Sequence, residues 1–228
     1  EATRIIEQNG NHLTDLLEGI LQYSQMSASY IQSRYRVVDI GQLAREAVES
    51  FTPPYERKGL CLRFSHEGGQ LNDVLSDPVG IRQIFNNLLS NALKFTAKGG
   101  VEFNVQSRNR SAGSAHLVIT VSDTGVGIPA EKIAEIFQPF QQLENAATRR
   151  SGGIGMGLAI VSRLVQSMEG RMRCDPNPGG GTRFTVELDL ERSREPATSP
   201  SNQANRLEAR LSPDSCRGLR LLVAEDQE

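Results

Sequence analysis

Tryptophan is absent from these 228 residues, and aromatic side chains together make up only 5%. A core must therefore be built mainly from aliphatic groups. Cysteine and histidine are scarce too, at three each. Cys61, Cys174 and Cys216 stand far apart with no CxxC pair, which is poor material for a disulfide framework or a thiolate zinc site. A reducing compartment is the expectation. His12, His66 and His116 are equally scattered, so no histidine metal centre is expected. No apolar run approaches the roughly 18–20 residues that cross a bilayer. The opening Glu1-Ala2-Thr3-Arg4 lacks the basic-then-apolar pattern of a signal peptide, and without an initiator Met it points to a piece of a longer chain. Neither sign of charge dominates: 25 Lys+Arg against 27 Asp+Glu leave a net charge of −2. That balance argues against a general nucleic-acid binder, which needs a basic surplus to neutralise phosphates.

What is present suffices for a folded domain. The chain is 38% hydrophobic and 23% charged, enough apolar material for a core. Residues 1–33 read as one helix, with Ile6, Leu13, Leu16, Leu17, Ile20 and Leu21 at three-to-four spacing. Such a stripe wants a partner helix or a dimer mate. Residues 42–58 predict a second helix and 60–64 a short strand. Asp77-Pro78 is a strong helix start, a capping carboxylate followed by Pro at the first helical position. That helix runs to about Ala97 and stops at Gly99-Gly100. Residues 101–107 and 116–122 alternate as strands, the second apolar enough to be central, with a hairpin-type loop over 109–114. A short helix follows Pro129, and 141–151 is polar. Another helix opens at 152–157 and ends near Gly170. A final hairpin pairs 171–175 with 182–190 across Pro176-Asn177-Pro178-Gly179-Gly180-Gly181. Residues 191–216 have linker composition, and the chain turns apolar again from Leu219 to Ala224.

Three stretches carry candidate chemistry. In the helix that starts at Pro78, Asn87, Asn91 and Lys94 are spaced four and three apart and share one face. Their stripe borders the apolar one of Ile81, Ile84, Leu88, Ala92 and Phe95, so it lies at the rim of the buried face. Amide oxygens and a lysine there suit a hydrated divalent cation and phosphates; a merely solvated helix face is the plainer alternative. The second stretch is Val121-Ser122-Asp123-Thr124-Gly125-Val126-Gly127-Ile128-Pro129, an apolar strand running into Asp and two glycines. A carboxylate at a strand end can accept from the exocyclic amine of a base, and the glycines let backbone approach a ring closely. A plain turn would use the same residues. The third is Gly152-Gly153-Ile154-Gly155-Met156-Gly157-Leu158, a glycine-rich loop opening a helix, where free N–H groups and the helix dipole favour an anion. No Gly-Lys-Ser/Thr follows, so it is not the Walker pattern.

Taken together in this order, the chain resembles the ATP-binding catalytic domain of bacterial sensor histidine kinases, within the superfamily that includes gyrase B, Hsp90 and MutL. Asn87…Asn91-Ala-Leu-Lys94-Phe95 resembles the N box and Asp123-Thr-Gly125-Val-Gly127-Ile128 the G1 box. Phe137-Gln-Pro-Phe140 resembles the F box, Gly153-Ile-Gly155-Met156-Gly157-Leu158 the G2 box, and Gly181-Thr182-Arg-Phe184 the terminal glycine–threonine motif. The resemblance spans about residues 39–190. It implies an α/β two-layer sandwich of the Bergerat type: a mixed sheet with helices on one face, preceded by a long dimerisation-type helix. It also implies ATP and Mg²⁺. Asp123 would take the adenine amino group, with Gly125, Gly127 and Ile128 beside it. Asn91 would ligate Mg²⁺, Asn87 and Lys94 would hold phosphate, and Phe95 would pack near adenine. Gly153, Gly155, Met156, Gly157 and Leu158 would frame the triphosphate, with Phe140 and Thr182 at the site's edges. Residues 138–152 would form a lid from which Arg149 and Arg150 reach the γ-phosphate.

The resemblance further implies phosphoryl transfer to a histidine on a dimerisation hairpin. No acceptor box is present: His12 is followed by Leu13, Thr14 and Asp15, and Ser65-His66-Glu67 reads as a turn running into Gly68-Gly69. Residues 1–38 would then be the hairpin's second helix plus linker, with the acceptor upstream. Residues 217–228 resemble the first strand of a receiver domain, with Glu225 and Asp226 as its acidic pair, which implies a hybrid kinase. The implied partners are the histidine-bearing helix of its own chain or dimer mate, a response-regulator receiver and, in a catalytically silent alternative, another sensor kinase. The parent would be a homodimer with this part in the cytoplasm, whether or not it is anchored in the inner membrane. A gyrase-like or chaperone ATPase is disfavoured, because Gln83 lies one turn before the N box and no Glu opens that motif.

Overall fold

The computed structural model describes residues 35–69, 71–111, 113–141 and 155–193, together with Gly10. Apart from Gly10, the expectations for residues 1–33 lie outside the described residues. So do Arg149, Arg150, Gly153 and everything beyond Ser193. All described residues belong to one unit, Glu1–Pro196.

Two short strand–helix units open the domain. β1 (Arg36–Val38) pairs antiparallel with β3 (Val74–Ser76). β1 leads into α1 (Ile40–Arg57) and β3 into α2 (Pro78–Phe95). Each helix is capped by an aspartate: Asp39 accepts from the Gln42 N–H and Asp77 from the Val79 N–H. Three-residue strands are too short to show a period, which is why the sequence pattern misses both. The remaining strands are β2 (Cys61–Gly68), β4 (Gly100–Ser111), β5 (Ser114–Asp123), β6 (Arg171–Pro176) and β7 (Thr182–Glu191). They form one sheet in the order β2-β4-β5-β7-β6. β2 runs parallel to β4 and the other pairs are antiparallel, so the sheet is mixed and β5 is its centre. Between β5 and β6 lie a 3-10 turn (Ala130–Lys132) and α3 (Gly157–Ser167).

Two local expectations are corrected. Ser65-His66-Glu67 is not a turn: it continues β2 alongside Asn104, Val105 and Gln106 of β4. As an edge strand exposed on most of its side chains, β2 shows no alternation there. The hairpin expected over 109–114 is tighter, because β4 runs on to Ser111.

One face of the sheet is covered by the helices. Ala115, Leu117, Ile119 and Val121 of β5 and Phe184, Val186, Leu188 and Leu190 of β7 point into a core with Ile81, Ile84, Phe85, Leu88 and Leu89 of α2. With so few rings available, Phe103 sits at a junction, its centroid 5.3 Å from Phe64 and 5.2 Å from Phe85. The opposite face carries polar pairs such as Arg173–Glu187 and His116–Asp189.

The segment before α2 also receives the end of the domain. Asp73 forms an ion pair with Arg192, its carbonyl accepts from the Ser193 N–H, and Val74 bridges Arg192. No described helix is long and apolar enough to cross a membrane.

Phe103→Ala should therefore cost ~3–5 kcal/mol of unfolding free energy by denaturant titration, the usual scale for deleting a buried ring. Phe64→Ala, at the half-buried edge of the same cluster, should cost clearly less.

Candidate functional site

α2 carries the first group. Its core side is fully buried, while Asn87, Asn91, Lys94 and Phe95 are each half-buried along the rim. The Asn87 amide N–H donates to the Gln83 carbonyl at 3.0 Å. That bond fixes the side chain and turns Oδ1 toward the start of α3. A β-carbon on Gly157 would lie 2.9 Å from Asn87 Oδ1 and 3.7 Å from Asn91 Nδ2. Burial lowers the pKa of the Lys94 amine, and its ammonium sits 4.9 Å from the Phe95 ring centroid. A desolvated cation of this kind gains when an anion arrives.

The N-terminus of α3 faces that stripe without a cap. α1 and α2 each use an aspartate, whereas Met156 at the α3 N-cap makes no side-chain hydrogen bond. Among the described residues, the first N–H groups of α3 thus have no side-chain acceptor at the positive end of its dipole. Met156 is buried, and Gly157 and Leu158 are half-buried. Gly155 (φ +73°) packs on Gln141, whose carbonyl oxygen would lie 2.5 Å from an added β-carbon.

Asp123 ends β5 at 5% exposure. Its Oδ1 accepts from the Gly125 N–H at 2.8 Å and the Thr182 N–H at 3.2 Å. No hydrogen bond among the described residues engages Oδ2, which leaves one carboxylate oxygen as a spare acceptor. Burial raises the Asp123 pKa above the ordinary carboxylate range, and the two backbone donors only partly offset this. The Asp123 turn reaches the end of α2, because a β-carbon on Gly125 would lie 2.5 Å from the Phe95 carbonyl oxygen. Gly127 and Ile128 continue this turn, and Phe140 is exposed with φ 66°. α2 thus spans the region, with Asn87 and Asn91 against α3 and its end against Asp123.

Two residues of the β6–β7 connection support the Asp123 turn, and only Asn177 escapes the sequence pattern. Asn177 Nδ2 donates to the Asp123 backbone carbonyl at 2.8 Å, yet Asn in a proline–glycine run signals only a turn. Gly181 (φ +92°) lies so close to the Asp123 carbonyl that a β-carbon would collide with it. Among the described residues no group of three or more His, Cys, Asp or Glu is placed to hold a metal. A groove of about 600 Å³ along α3, β6 and β7 is lined by Phe137, Val165 and Arg171 among others, and by none of Asn87, Asn91, Lys94 or Asp123.

Comparison with known proteins gives a consistent picture. Residues 76–192 match the family described as histidine kinase-, DNA gyrase B- and HSP90-like ATPase. The chain is 32% identical over 224 residues to the autoinducer 2 sensor kinase/phosphatase LuxQ of Vibrio parahaemolyticus, covering 97% of this chain and 26% of that protein. It is 30% identical over 186 residues to the signal transduction histidine-protein kinase BarA of Escherichia coli strain K12, covering 82% and 20%. The chain thus spans about a quarter or less of the length of these relatives. The crystal structure of full-length ShkA in complex with AMPPNP superposes with a TM-score of 0.67 at 29% identity, covering 85% of this chain and 39% of that one.

Gly181→Ala and Gly180→Ala separate two costs. Gly180 (φ +105°) has nothing near its would-be β-carbon. It should lose only the backbone term, on the order of 1–2 kcal/mol. Gly181→Ala should lose clearly more in a denaturant titration, because β7 must also shift away from Asp123.

Proposed function

Because the chain belongs to the family of histidine kinase-, DNA gyrase B- and HSP90-like ATPases and carries the catalytic ATPase domain of a bacterial two-component sensor histidine kinase, we propose that it binds Mg·ATP between α2, α3 and the Asp123 turn and donates the γ-phosphoryl group to a histidine of a dimerisation helix. The observation that carries this reading is the pairing of two unlike poles along α2. One is a buried carboxylate with a spare acceptor oxygen, and the other is a pair of amides facing an uncapped helix N-terminus.

Each pole matches one end of the nucleotide. Oδ2 of Asp123 accepts from the adenine amino group, while Oδ1 stays tied to Gly125 and Thr182. The α3 N–H groups and Lys94 take the phosphates. Mg²⁺ fits a donor set of this kind: a hard, hydrated cation held by phosphates and water needs only one or two protein oxygens, here the Asn91 amide with Asn87 beside it. Bound Mg²⁺ would supply charge neutralisation at the phosphates. Arg149 and Arg150 are the further cations proposed for the γ-phosphate. In the transfer itself, an imidazole nitrogen attacks the γ-phosphorus, the bond to the β–γ bridging oxygen breaks, and ADP leaves. The protein's part is positioning and electrostatics. In the parent this places the domain beside a histidine-bearing helix and a receiver domain, in a homodimer.

Asp123→Asn tests the first pole. The amide oxygen still accepts from Gly125 and Thr182, so thermal stability should hold. The amide N–H₂ now opposes the adenine amine, so calorimetric ADP affinity should fall by ~10²-fold or more. Unchanged affinity would sink the assignment.

Wild-type affinity should also depend on pH. The acceptor must be charged, so binding is full above the raised Asp123 pKa and is lost as pH falls through it, about tenfold per unit below. The loss should begin at a higher pH than for an unperturbed aspartate. With Mg·ATP and a separately produced dimerisation domain, acid-labile label should appear on that domain.

A further inference from the structure

We propose that Tyr55 and Lys58, at the end of α1, are positioning residues that set the last two turns of α2, and through them hold Asn91 against the N-terminus of α3 and Lys94 on the turn beyond it. The proposal deepens the nucleotide reading above and rests on it.

α1 and α2 lie side by side and run the same way. Arg82 pairs with Glu46, Tyr55 reaches Leu89, and Lys58 reaches Leu93 and Lys94, so contacts advance together along both helices. The Tyr55 hydroxyl, 1% exposed with its ring, donates to the Leu89 carbonyl at 2.8 Å. That carbonyl is also the α-helical acceptor for the Leu93 N–H, four residues on. Leu89 and Leu93 are the two ends of one rung of an α-helical ladder. A hydroxyl standing at that rung fixes the turn containing Asn91 from the core side, while the Asn91 side chain faces α3.

Lys58 acts one turn later. Its ammonium donates to the Leu93 carbonyl at 2.5 Å and the Lys94 carbonyl at 3.2 Å. These are end-of-helix carbonyls that have no partner further along α2, at the negative end of its dipole. The Asp123 turn packs on the next carbonyl, that of Phe95.

The end of α1 is built to present these groups. Pro53 and Pro54 immediately precede Tyr55 inside the helix and remove two backbone donors. Ser50 and Thr52 hydroxyls donate back to the Glu46 and Val48 carbonyls, contacts that bend helices. Hydrophobic burial does not require the tyrosine hydroxyl; phenylalanine would fill the same volume. The hydroxyl is explained by what it holds in place.

The test is ADP binding by calorimetry, in excess Mg²⁺ and in EDTA, with a melting curve for each variant. The wild-type chain should bind ADP, and Mg²⁺ should tighten it. Tyr55→Phe should weaken binding about fivefold to tenfold with Mg²⁺, the worth of one net hydrogen bond. In EDTA, where the Asp123 pole dominates, it should change affinity by less than about twofold. Lys58→Met should act in the same direction, and Lys58→Arg should restore the wild-type ratio. Because Lys58 is exposed, that pair carries the test if Tyr55→Phe fails to fold. Wild-type ratios in Tyr55→Phe and Lys58→Met would overturn the positioning role, as would equal losses with and without Mg²⁺ alongside a lowered melting temperature. Absence of ADP binding by the wild-type chain would overturn the nucleotide reading itself.

Discussion

The rotation of α2 about its own axis governs this domain, and burial sets that rotation. Ile81, Ile84, Phe85, Leu88 and Leu89 are all at 0% exposure against the sheet. Each such side chain contributes ~1.5–3 kcal/mol when removed from water. The preference of two amides and one ammonium for hydration is small beside that sum. The apolar face therefore wins, and Asn87, Asn91 and Lys94 are carried to the rim whether or not a ligand is present. A polar stripe half-withdrawn from water is a by-product of core formation that chemistry can then use.

The same trade appears at Asp123 with the opposite sign. A charged group at the end of the central strand is held where burial disfavours its charge, and two backbone donors meet only one of its oxygens. The cost is tolerable because β5 is secured on both sides by long antiparallel partners, β4 and β7. Asn177 and Gly181 complete the support from the β6–β7 connection, so the carboxylate is fixed by elements far apart in sequence.

Much of this was legible in the chain itself. The Asp77-Pro78 start, the rim position of Asn87, Asn91 and Lys94, and the central place of β5 follow from capping, periodicity and apolar content. Their convergence does not. Nothing in the local pattern around Asn87 shows that its oxygen points at Gly157, because that depends on where α3 returns to the sheet. The parallel pairing of β2 with β4 was equally hidden, since which neighbour a strand pairs with, and in which direction, is set across α2 and not within the strand. Tyr55 was invisible for a different reason: its sequence neighbours explain a buried ring, while its hydroxyl answers to a carbonyl on another helix. The short strands β1 and β3 left no periodic trace, although together they orient both capped helices.

Those short strands have a mechanical consequence. The chain comes in along β1 and goes out past Arg192, and both are fastened to Asp73–Ser76. Tension applied through the flanking polypeptide would load that one corner, in the three-residue ladder and the Asp73–Arg192 pair. The central strands of the sheet and the contact of α2 with the start of α3 would lie outside the path of the force. Pulling on the flanks should thus tear the corner before it deforms the Asn87–Asp123 region.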